Sequence, residues 1–176
     1  ATEVLSTFVP EDGKELIHEA CKNAYGKGLF PKNVVPVKKA GDVFVAELFH
    51  GQTAAFKDMA LSLLPYLMTL SLKQLNEQRE VMILAATSGD TGKAALEGFK
   101  DVPGTCIKVF YPLDGVSMIQ QQQMVSQTGN NVKVIGIHGN FDDAQTAVKK
   151  AFGSQELKEA SDKHNVFLSS ANSINV

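Results

Sequence analysis

The chain has 176 residues, of which 44% are hydrophobic and 20% charged, and its formal net charge is −2. That is globular composition, enough for one sizeable core and a small second lobe. It lacks the basic surplus that nucleic acid or an anionic membrane surface attracts, and its longest apolar stretch, 59–72, is short for a bilayer and interrupted by Pro65.

In chain order, the first element is a helix over 14–25, with Leu16, Ile17, Ala20, Cys21 and Ala24 on one face. The Gly, Pro and Asn of 26–33 predict a loop. Residues 34–49 hold two short strand signals around the turn AGD, with the β-formers Val43, Phe44 and Val45. A helix follows over about 53–77, apolar almost all round to Leu70, which predicts a buried core helix that Pro65 kinks or splits.

From residue 81 strand and helix alternate four times. VMILAAT (81–87) is a continuous apolar run, then SGDTG, then the helix KAALEGFK. TCIKVFYP (105–112), NVKVIGIHG (131–139) and NVFLSS (165–170) are the further strands. The intervening helices are VSMIQQQQMVSQTG, FDDAQTAVKKAF and SQELKEASDKH, with QQQQ (120–123) as a polar helix face. This alternation predicts βαβ units: an α/β fold with a parallel sheet and helices on both faces. The chain starts at Ala1 without an initiator Met and ends at Val176 just past a strand, the pattern expected of a fragment of a longer enzyme. Cys21 and Cys106 lie far apart without CxxC or Cys/His spacing, and no secretory signal opens the chain. Reduced thiols in a cytoplasmic protein, with no metal site, are expected.

Three runs carry candidate chemistry. TSGDTG (87–92) follows a buried strand and opens a helix, where ligands of open α/β sheets bind and where free N–H groups hold carboxylate or phosphate. Spacing leaves a plain helix cap by Ser88 or Asp90 equally open. Asp90 repels an anion, so it suits the site by facing a cation or hydroxyl, or by being protonated. In HGQTAAFKD (50–58), Thr53 reads as an N-cap, which puts Lys57 at a helix start. The N–H dipoles there, and the neighbours Phe56, Met59 and Ala60, favour a neutral amine suited to Schiff-base chemistry. Spacing alone favours the plainer lysine that reaches solvent beside Asp58. His50 reads as a loop histidine, and His138 and Gly139 near the sheet edge receive no role. SSANSIN (169–175) is a polar run at the same edge, or simply a loop of turn formers.

Together HGQTAAFKD, AATSGDTGKAA and SSANSINV, with FYPLDGVSMIQQQQM and GNFDDAQ between them, resemble the threonine synthases, pyridoxal-phosphate (PLP) enzymes of the fold type II, tryptophan-synthase-β-like group. The resemblance runs from about residue 10 to the end. It implies that residues 1–80 belong to a large domain and include the PLP-lysine helix, and that 81–176 form an α/β domain. Lys57 then links covalently to PLP, Phe56 packs against the cofactor ring, and Asp90 stands where related enzymes carry an Asn beside the ring hydroxyl. Thr87, Ser88, Gly89 and Thr91 match the loop that takes the substrate carboxylate, and Asn172, Ser173 and Asn175 line the substrate side. The implied reaction is O-phospho-L-homoserine plus water giving L-threonine plus phosphate, with Lys57 moving protons at Cα and Cβ. Gln52 departs from the family's HGPT, and the family's phosphate-binding loop falls beyond Val176, so weak PLP anchoring and an inactive fragment are expected. Two other readings stay open: another eliminating enzyme of the same fold, such as a threonine-synthase-like phospholyase or a dehydratase, and a non-catalytic anion-binding module.

Overall fold

The computed structural model describes residues 1–26 and 28–171. A short helix α1 (Thr2–Leu5) and two 3-10 turns lead into α2 (Lys14–Tyr25). Next comes an antiparallel hairpin, β1 (Val37–Ala40) and β2 (Val43–Ala46), with Gly41 at φ +63° in its turn, a conformation open to glycine at no cost. Then follow α3 (Asp58–Leu61), α4 (Leu64–Gln74), β3 (Glu80–Ala86), α5 (Asp90–Phe99), β4 (Thr105–Pro112), α6 (Met118–Val125), β5 (Val132–Ile137), α7 (Phe141–Phe152), α8 (Gln155–Lys163) and β6 (Val166–Ser170).

The four later strands form one parallel sheet in the order β5-β4-β3-β6. The fold class is therefore the α/β parallel sheet that the alternation predicts. β4 lies on one side of β3 and β6 on the other, so the direction of winding reverses at β3. Right-handed returns then carry α5 over one face and α7 and α8 over the opposite one. The crevice at a reversal point opens at the carboxyl end of its strand, which here is the turn after Ala86.

Val81, Ile83 and Ala85 of β3, Leu96 and Phe99 of α5, Ile107 and Val109 of β4, Met124 of α6 and Leu61 of α3 make the main core. A smaller cluster, Ile17, Ala20, Cys21, Ala24 and Leu63, joins α2 to α4. Contact between α3 and α5 is close because Gly98 has no side chain: a β-carbon there would lie 2.1 Å from the Leu61 carbonyl oxygen.

The expected helix over 53–77 is corrected by the structure. Helix begins at Asp58, stops at Leu61 and restarts at Leu64. Pro65 falls in the first turn of α4, where its missing N–H removes no intrahelical bond, so the split is the cheap solution. α4 is also not a fully buried core helix. Leu64, Met68 and Leu72 line an apolar groove of about 340 Å3 with Val81 and Phe167, and Leu75 is 77% exposed. Among the described residues no helix is long and apolar enough to cross a membrane, and Cys21 and Cys106 are free thiols.

Tyr25 ties α2 to α3 by donating its hydroxyl to the Met59 carbonyl at 2.7 Å, and burial pushes the phenol up to about 12. The neutral phenol is the folded form. Its contribution is therefore full below the ordinary tyrosine value of about 10 and is lost as pH rises from there toward the folded value. Tyr25→Phe is expected to cost about 1 kcal/mol at neutral pH and to flatten the loss of stability above about pH 10. Urea titrations at neutral and alkaline pH measure both.

Candidate active site at the carboxyl end of β3

Thr87 continues the β3 ladder, its N–H donating to the Phe110 carbonyl at 3.0 Å, and its side chain then turns back. The hydroxyl accepts the N–H of Gly89 at 2.9 Å and of Gly92 at 2.8 Å, and the residue is 1% exposed. Neither Ser88 nor Asp90 caps α5, as the cap reading expected: the N-cap position is Gly89, and Thr87 does the capping from upstream. Gly89 has φ +137°, closed to a β-carbon, and a β-carbon there would also lie 2.4 Å from the Gln120 side chain. Gly92 is packed on Thr87 and Val109 in the same way. This geometry leaves the amides of Asp90 and Thr91 without an acceptor among the described residues, and Ser88 exposed beside them. Two unpaired N–H groups at a helix start are the donor set for an anion.

Lys57 is the N-cap residue of α3 rather than a residue inside its first turn. Its half-buried side chain crosses to α5, where Nζ donates to Thr91 Oγ1. The amine lies 5.7 Å from the centroid of the Phe56 ring, which does not bury it as expected, because Phe56 is 58% exposed. Asp58, the expected partner of a solvated Lys57, is bonded elsewhere: it accepts the Thr53 N–H at 2.8 Å and the Thr53 hydroxyl at 2.5 Å. Thr53 is accordingly a buried anchor of this loop and not the start of a helix.

Asp90 Oδ1 accepts from Gln120 Nε2 at 2.9 Å and pairs with Lys93 Nζ at 3.2 Å. The Gln120 hydrogen bond foremost, with Lys93 and then Lys57, holds the carboxyl below the usual carboxylate range. Of the three settings open to Asp90, facing a cation is the one realised. The ionised form is favoured in the fold, so its stabilisation is present above the ordinary aspartate value and is lost as pH falls through the lower folded one. Gln120→Leu is expected to move the Asp90 midpoint up toward the ordinary value, measured by a carboxyl-carbon NMR titration.

The glutamine run is more than a polar face. Gln120 meets Asp90, Gln121 donates to Tyr111 Oη at 3.1 Å, and Gln123 Nε2 reaches the Thr53 carbonyl at 3.5 Å. The reading from sequence missed these roles because the partners lie 10 to 70 residues away. A capping box of Ser117 with Gln120 starts α6 at Met118, two residues after the expected start. Lys57, Phe56, Thr87, Ser88, Gly89, Asp90 and Thr91 thus come together at one edge of the sheet. His138 is exposed after β5. The expected substrate-side residues Asn172, Ser173 and Asn175 lie outside the described residues.

No family model matches the chain. A threonine synthase of Buchnera aphidicola subsp. Schizaphis graminum is 39% identical over 178 residues, an alignment that takes in 100% of this chain and 38% of the relative. The crystal structure of Escherichia coli threonine synthase superposes with a TM-score of 0.79 at 35% identity, over 99% of this chain and 37% of that one. Over its whole length this chain is similar to part of the threonine synthases. PLP-bound threonine synthase from Brucella melitensis gives a TM-score of 0.75 at 40% identity, over 93% of this chain and 33% of that one. The chain therefore spans about a third to two fifths of the length of these threonine synthases.

Proposed function

We propose that this chain carries the lysine side of a threonine synthase active site, serving the conversion of O-phospho-L-homoserine and water to L-threonine and phosphate with PLP as cofactor. The observation that carries this reading is the Lys57 amine meeting Thr91 at the start of α5, beside two unpaired amides. The donor set fits the group. A primary amine suits an aldehyde, an exposed aromatic ring beside it suits a flat heterocycle, and the amides of Asp90 and Thr91 with the Ser88 hydroxyl suit a carboxylate. PLP, when bound, supplies the electron sink for carbanions at the substrate.

Each residue then has a task. Lys57 holds the cofactor aldehyde and, when its amine is free, moves protons at substrate Cα and Cβ. Phe56 covers the ring. The turn from Thr87 to Thr91 orients the substrate carboxylate: Thr87 sets its shape from inside while Ser88, Gly89 and Thr91 face the ligand. Asp90, held ionised by Gln120 and Lys93, would stand on the cofactor side of the turn. The resemblance assigns Asn172, Ser173 and Asn175, outside the described residues, to the substrate side. Residues 1–80, with the lysine, belong to a large domain, and the sheet from 81 onward forms its own α/β domain.

The test is an absorbance spectrum with added PLP, then borohydride reduction and peptide mapping. A yellow species reduced onto Lys57 alone supports the cofactor site. Reduction spread over surface lysines rejects it and leaves an anion-binding module as the reading of the turn. Product analysis with phosphohomoserine separates threonine synthase from other eliminating enzymes of the fold.

A further inference from the structure

Asp58 is a buried carboxylate beside the lysine, and nothing in the chemistry above uses it. The residue is 3% exposed, and among the described residues no cation pairs with it. Its two oxygens converge on one residue, Thr53, through the backbone N–H and the hydroxyl. These bonds close the loop 53–58 around the bend that carries Lys57. Ala54 in that loop sits at φ +55°, a left-handed conformation that opposes any residue with a β-carbon and persists only where its surroundings impose it.

The carboxylate also organises its neighbours. A β-carbon at Gly51 would lie 2.1 Å from Asp58 Oδ2, so the chain is folded directly onto that oxygen. Asp58 N–H donates to Ala55 at 3.0 Å, and the Lys57 carbonyl accepts from Leu61 at 2.9 Å, which pins the lysine backbone on both sides. α6 adds the Gln123 contact to the Thr53 carbonyl, and Gln123 Oε1 is buried without a partner among the described residues.

We propose that Asp58 is a positioning residue: its clamp on Thr53 holds the bend that sets the Lys57 amine against Thr91. The assignment rests on reading Lys57 as the cofactor lysine. Asp58 acts through Lys57 and touches neither cofactor nor substrate. Asparagine can keep the clamp, accepting the Thr53 N–H and donating to the Thr53 hydroxyl, whereas alanine cannot.

Two readouts on this chain test it: borohydride-trapped PLP at Lys57, and, without cofactor, the acetic anhydride labelling rate of Lys57 relative to exposed Lys150. In Asp58→Ala, trapping at Lys57 is expected to fall about tenfold or more, since a small misplacement of a reacting group is costly, and relative acetylation to rise as the amine leaves Thr91. Asp58→Asn is expected to restore most of both. Asp58→Ala with wild-type trapping and acetylation overturns the proposal, and so does an Asp58→Asn variant as impaired as alanine. If Asp58→Ala does not unfold cooperatively, Thr53→Val decides, because it removes only the hydroxyl bond: intermediate values support the clamp and wild-type values overturn it. If the unsubstituted chain captures PLP at no particular lysine, the cofactor reading fails, and the acetylation ratio still decides the role of Asp58.

Discussion

Lys57→Ala is expected to abolish borohydride-stable PLP incorporation and leave the fold intact. The side chain is half-buried and makes one hydrogen bond, to Thr91, so its loss opens no core cavity. Removing the amine relieves about 0.3–1 kcal/mol of unfavourable interaction with the helix dipoles, which offsets its lost attraction to Asp90. The chemical cost is large by comparison. No other described lysine shares its place between Phe56 and the unpaired amides of α5: Lys93, the nearest on α5, is buried and paired with Asp90. In a form that turns over phosphohomoserine, loss of proton transfer alone predicts a drop of about 10²–10⁴ in kcat. Lys57→Arg is the informative companion, since it keeps the charge and offers no neutral primary amine. Peptide mapping and far-ultraviolet circular dichroism together measure the prediction: lost labelling with an unchanged spectrum.

A large loss of stability is expected at the contact of Gly98 with Leu61. A β-carbon there meets the Leu61 carbonyl oxygen at 2.1 Å and the Leu61 carbonyl carbon at 2.9 Å, and both are backbone atoms that a rotamer change cannot move. Leu61 is itself fully buried against α5. Gly98→Ala must therefore separate α3 from α5, and about 3 kcal/mol of destabilisation is expected despite the better helix propensity of alanine. That corresponds to a fall in Tm of about 6–12 °C for a chain of this size. Leu61→Ala, which leaves a cavity at the same contact, is expected to cost about 2–5 kcal/mol. The two losses should not add, because a shortened Leu61 lets α3 settle away from the new methyl group. Chemical denaturation of both single variants and the double variant measures this.

Local chemistry carried most of the fold. The helix over 14–25 and the strand over 105–112 have the bounds that periodicity predicts, and α7 starts where Asn140 and Asp143 form a capping box. The lysine region was misread because what shapes it is not local. The signals for a helix from Thr53 were apolar spacing and a capping residue type. The structure spends that threonine on Asp58 instead, bends the chain left-handed at Ala54, and packs α3 onto a glycine 37 residues further on. The meeting of Lys57 with Thr91, 34 residues apart, was equally invisible to spacing, and only the resemblance brought the two motifs into one site. The exposure of Phe56 could not be read from an apolar residue in an apolar run. For Asp90, the sequence supplied the right puzzle, an acid in an anion loop, but its answer lay with Gln120 and Lys93.

The hairpin of β1 and β2 gives the molecule a second level of cooperativity. Every residue of both strands is exposed, and the strands pair only with each other. Lys38–Glu47 at 2.7 Å and His50–Glu47 at 2.8 Å tie its base to the loop that leads to Thr53. A two-stranded ribbon on its own is marginal in water. Its opening is therefore a separate, low-energy event, while β3 and β4 open only with the whole sheet. Since the hairpin leads directly into the lysine loop, the stretch that carries the Lys57 amine joins a marginal ribbon to the elements packed on the sheet.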